Sequence, residues 1–108
     1  MEFIDIARRF DSATSGTDAF KSFYKDAFAL MKADPGNASL YFVVGIAAQS
    51  YVRTYEDQGI SGEFADSAKV TLVGFNAKLV EALAAAPQER LRLLGEVAID
   101  YEWNVHSF

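Results

Sequence analysis

The sequence predicts an all-α fold: a four-helix up-down-up-down antiparallel bundle with a short additional N-terminal helix, as one domain over residues 1–108. Three observations predict it. Apolar residues recur at i, i+3, i+4 and i+7 in successive segments. Gly, Pro, Asn and Asp cluster only between those segments. No stretch alternates convincingly with the period of two that a strand needs. Short connections favour antiparallel neighbours.

The first segment, Phe3 to about Phe10, puts Phe3, Ile6, Ala7 and Phe10 on one face, and residues 11–16 break it. Such a short helix is expected to lie across one end of the bundle. The second begins at Thr17, a good N-cap residue, and carries Phe20, Phe23, Tyr24, Ala27, Phe28 and Met31. The third opens with Asp34 as N-cap and Pro35 at the first helical position. Its run from Leu40 to Ala48 is apolar all round and continues into Tyr51, Val52 and Tyr55, as a buried central helix should. Gly59 is placed as a left-handed C′ residue with Ile60 packing back on Tyr55. The fourth starts at Ser61 and carries Ala68, Leu72, Phe75, Leu79 and Leu83, and the fifth starts at Pro87. The core stripe of the fifth reads Leu91, Leu94, Val97, Ala98, Tyr101 and Val105.

Hydrophobic residues make up 51% of the chain, and 9 Phe, 5 Tyr and 1 Trp give more aromatic volume than a core of this size needs. The net charge of -5 speaks against nucleic acid, whose phosphates require clustered Lys and Arg, and is compatible with a basic protein partner. No cysteine is present, so neither disulfides nor thiolate metal sites can form. No apolar stretch is long enough to span a membrane and the first nine residues lack the apolar region of a secretory signal. A cytoplasmic location, no membrane partner, no cofactor and no metal are therefore expected.

Catalytic chemistry finds little support. His106 is the one histidine, four residues after Glu102; carboxylate-bridged metal bundles repeat Glu-x-x-His on two helices. Glu96 and Asp100, and Glu56 and Asp57, read as solvated carboxylates. Ser107 adjoins His106 too closely for a Ser-His-Asp arrangement. Gln58-Gly59-Ile60-Ser61 resembles a helix-turn-helix corner, but Glu63 and Asp66 would head the recognition helix and repel phosphate.

Two features remain. Gly45, Gly74 and Gly95 each sit mid-helix, at a cost of about 1 kcal/mol relative to Ala. They mark either close helix crossings or a mid-bundle cavity lined with Phe23, Phe42 and Phe75. The fifth helix also has a second apolar edge, Ile99 and Trp103, which Phe108 extends. With Phe3, Ile4 and Phe10 of the first helix, this edge is the expected seam of a homodimer. The expected function is a non-catalytic protein–protein interaction module, adaptor-, antitoxin/immunity- or chaperone-like. The alternative is a binding protein for a small apolar or aromatic ligand held in the mid-bundle cavity.

Overall fold

In the computed structural model, which describes residues 1–105, the helical periodicity becomes five helices. They are α1 (Phe3–Ser12), α2 (Thr17–Ala33), α3 (Ala38–Tyr55), α4 (Gly62–Leu83) and α5 (Pro87–Ile99). A 3₁₀ turn, Pro35–Asn37, leads into α3, and a π turn, Asp100–Asn104, continues α5. No strand occurs among the described residues. His106, Ser107 and Phe108 lie outside them.

Local chemistry explains most of the boundaries. Glu2 and Asp5 form a reciprocal capping box at the start of α1, with the Glu2 amide donating to Asp5 at 2.9 Å. The Ser61 hydroxyl accepts the Phe64 amide at 3.1 Å and so caps α4. Pro87 stands at the first position of α5, where its missing donor costs nothing. Two expected caps take another form. Gly16, with φ of 145°, precedes α2, so Thr17 is already helical. Gly59 does not adopt positive φ; α3 ends at Tyr55, and a turn with Gln58 donating to the Tyr55 carbonyl at 3.1 Å closes it.

Ring contacts give the direction of each pairing. The Phe20 and Tyr51 rings stack at 4.0 Å, while Phe28 lies 6.5 Å from Phe42, so α2 and α3 run antiparallel. Phe64 meets Tyr55 at 4.9 Å where α3 hands over to α4. Along α4 and α5, Phe75 meets Tyr101 at 6.4 Å and Lys78 pairs with Glu96 at 3.0 Å.

The short helix α1 lies along the bundle, in the groove between α2 and α4, where the sequence suggested an end position. Phe10 packs edge-on against Phe20 at 5.1 Å, and Phe3 reaches Phe23 at 6.2 Å and Tyr41 at 5.9 Å. Arg9 pairs with Asp26 of α2 at 3.1 Å, and Lys69 of α4 donates to the Ala13 carbonyl at 2.6 Å. Phe3, Ile6 and Phe10 are all buried. Leu72, Phe75 and Leu79 join Tyr41, Val44 and Ala48 in the same core.

The three mid-helix glycines fall into two kinds. A β-carbon at position 45 would collide with the Phe28 ring, so the missing side chain makes room for that ring between α2 and α3. At Gly74 and Gly95 a β-carbon would meet nothing within 4 Å. Opposite responses to substitution are therefore expected in urea denaturation. Gly45→Leu should lose about 1–3 kcal/mol by overpacking. Gly74→Ala should gain up to about 1 kcal/mol from helix propensity alone. Equal effects at the two positions would contradict that packing.

Candidate interaction face on α5

Helix α5 turns Leu93 and Val97 into the core, with Leu94 and Tyr101 packed at its margin. The opposite side is apolar as well. Leu91 is 69% exposed, Ile99 61% and Trp103 73%. With Gly95 between them, these residues form a single row at spacing i, i+4, i+8 and i+12. Such a row is one of the ridges that pack between helices. Gly95 leaves a notch in the ridge, since nothing stands within 4 Å of where its β-carbon would be. The π turn, a rare geometry that recurs at functional sites, carries the chain from Ile99 to Trp103.

Of the residues expected at a seam, Ile99 and Trp103 are exposed. Phe3 and Phe10 are corrected: at 2% and 3% exposure they belong to the core, because α1 fills the α2/α4 groove with that face. Ile4 is half-buried on the rim of a cleft of about 610 Å³ between α1 and the ends of α2 and α4. Phe108 lies outside the described residues. Leu91 and Ala98, expected in the core stripe, are instead exposed, because the buried side of α5 is centred on Leu93 and Val97. The spacing of four from Leu91 to Trp103 was the signal that could have found Leu91.

The mid-bundle cavity is corrected too. Phe23 and Phe75 are packed in the core, while Phe42 is exposed. Phe28 fills the space above Gly45. Gly95 faces open space, and Gly74 lines a surface cleft of about 410 Å³ between α4, α5 and the π turn. These six residues do not surround one cavity.

Several of the carboxylates on the helix surfaces have partners of their own. Glu96 accepts from Lys78 and Arg92, and its carboxyl is held below the usual range, first by the Lys78 hydrogen bond. Glu89 is lowered in the same way by Arg92. Glu56 pairs with Lys21, and Asp100 accepts from Asn104 at 2.9 Å. Among the described residues no cluster of His, Cys, Asp and Glu is arranged to hold a metal ion. No helix among them is long and apolar enough to cross a membrane.

A polar network at one end of the bundle escaped the sequence reading. Asp34 accepts from Tyr41 at 2.6 Å and from Asn37 at 2.9 Å. Arg90 donates to Asn37 at 3.0 Å and to the carbonyls of Ala82 and Ala85, at 3.1 and 3.0 Å. The network ties the end of α2 to α3 and α5 and satisfies carbonyls at the end of α4. Hydrogen bonds from Asn37 and then Tyr41 hold the Asp34 carboxyl below its ordinary value. Burial, reinforced by Asp34, pushes the Tyr41 hydroxyl up.

Comparison with protein-family models, curated proteins and solved structures finds no match to this chain.

Because the Asp34 pKa is lower in the folded chain, its contribution to stability is present above the unfolded value, about pH 4, and is lost as pH falls through the folded one. Asp34→Asn should therefore lower the urea midpoint at pH 7 and narrow the difference between the pH 7 and pH 3 midpoints. An unchanged pH 7 midpoint would remove the network from the forces holding the bundle end.

Proposed function

We propose that this chain is a non-catalytic interaction module that docks the outer side of α5 onto a protein surface. One observation carries the reading: Leu91, Ile99 and Trp103 stand exposed in one row on a helix whose other side completes the core. Large apolar groups aligned on one helix are what a helix-in-groove contact uses, and Trp is a frequent anchor in such contacts. Asp100 and Glu102 border the row, which suits a surface carrying basic residues. Adaptor-, antitoxin/immunity- and chaperone-like roles all act through such a face.

The ligand-binding alternative has lost its motivating feature, since the residues expected around a mid-bundle cavity are dispersed between core and surface.

Affinity capture from the native cell, with the wild-type chain and the Trp103→Glu variant as parallel baits, tests the reading. Trp103 is exposed, so the variant should keep its helical circular dichroism. At least one protein held by wild type should be depleted about tenfold or more on the variant, the effect of losing about 1.4 kcal/mol. The same set of proteins at the same abundance on both baits would overturn it.

A further inference from the structure

The cleft of about 610 Å³ between α1 and the ends of α2 and α4 combines polar and apolar walls, and the docking role proposed for α5 does not use it. No residue of α5 lines it, nor any of the six residues expected around a mid-bundle cavity. We propose that this cleft binds an organic ammonium ion, a protonated amine on a compact apolar body. The amine sits on the Asp34 carboxylate, and the body lies against Ile4, Leu30, Val80 and Leu83.

The hydrogen bonds of Asp34 leave it an acceptor. Tyr41 donates at 2.6 Å and Asn37 at 2.9 Å, and both donate to Oδ2. Among the described residues Oδ1 accepts none, so one oxygen of a carboxylate that lines the cleft is without a partner. The same two donors hold the carboxyl below its ordinary value, so it is anionic at neutral pH. Both donors are neutral and do not cancel its charge. The Arg90 guanidinium directs its hydrogen bonds to Asn37 and to the Ala82 and Ala85 carbonyls, not to Asp34.

The sign of the charge selects the ligand. The charged side chains that line the cleft are Glu2 and Asp34, both carboxylates. Glu2 is near enough to act on the Tyr41 hydroxyl, as Asp34 does, so the two acids flank one point. An anion would be repelled by both. A neutral apolar molecule would cover Oδ1 without giving it a donor, which is costly. An ammonium ion supplies both the charge and the N–H groups.

The rest of the lining asks for an apolar body. Ile4 of α1, Leu30 of α2, and Val80 and Leu83 of α4 form a wall drawn from three helices. A cleft of this size holds a small molecule rather than a lone ion. A bare metal ion would leave that wall uncovered, and no cluster arranged to hold one occurs among the described residues.

Titration at neutral pH with benzylamine, benzyl alcohol and benzoate, followed by backbone amide chemical shifts, tests the site. Benzylamine should give saturable shifts centred on Glu2, Ile4, Asp34 and Val80. Benzyl alcohol should bind about tenfold more weakly or worse, since it lacks the charge-assisted hydrogen bond, and benzoate should not bind. Asp34→Asn should weaken benzylamine about tenfold or more. Ile4→Trp, which narrows the cleft from its rim and leaves the Asp34 hydrogen bonds intact, should weaken it as well. Benzylamine that binds no better than benzyl alcohol would overturn the proposal. So would binding unchanged in both variants, or shifts that never saturate and scatter over the surface carboxylates. The α5 docking role stands or falls separately, on the Trp103→Glu bait.

Discussion

A missing side chain governs how the bundle is put together. The Phe28 ring occupies the space that a β-carbon at position 45 would need, so it packs directly on the α3 backbone. Phe20 and Tyr51 stack ring on ring near the far end of the same seam. The aromatic surface left on α2 then forms one wall of a groove, and α1 fills it with Phe3, Ile6 and Phe10. On the other side, α4 and α5 close the core through Leu72, Leu79 and Val97. The Asp34–Tyr41–Asn37–Arg90 network fastens one end, where α2, α3, α4 and α5 meet. Neutral packing sets the body of the fold, and charge contributes locally; the ion pairs Arg92 makes with Glu89 and Glu96 are exposed and worth little.

The periodicity of the sequence was enough to place the helices. Ser61 and Pro87 marked true starts, because an N-cap hydroxyl and a first-turn proline act on the residues beside them. Gly59 misled because its conformation depends on how α3 and α4 meet, not on its neighbours alone. The position of α1 was also out of reach, since a short amphipathic stretch looks the same across an end or along a groove. Gly45, Gly74 and Gly95 were indistinguishable as letters; only the neighbouring helix shows that one is filled by Phe28 and two are open. Ile99 and Trp103 were legible as a second edge. Leu91 shares that edge's spacing of four, but its i, i+3 relation to Leu94 drew it into the core stripe. The Asp34 network joins residues as far apart as Asn37 and Arg90, and no local pattern announces such a contact.

The core holds seven of the aromatic side chains, and among the described residues three of the large exposed apolar ones line up in one row on α5 and the turn after it. Phe10, Phe20, Phe23, Tyr51 and Phe75 are buried, whereas Trp103 stands at 73% exposure beside Ile99. An apolar row kept outside a core that has already closed adds nothing to the stability of one chain. The docking role proposed for this face gives such a row a use, and Gly95 leaves open space within it. The π turn belongs to the same arrangement, since it extends the row past the end of the regular helix.

Trp103 is the only tryptophan, so its fluorescence reports on the row and on nothing else. The most direct measurement is acrylamide quenching of that emission in a dilute solution of the chain by itself. The account expects ready quenching and long-wavelength emission, as for an indole in water. An indole protected from acrylamide and emitting at shorter wavelength would contradict it.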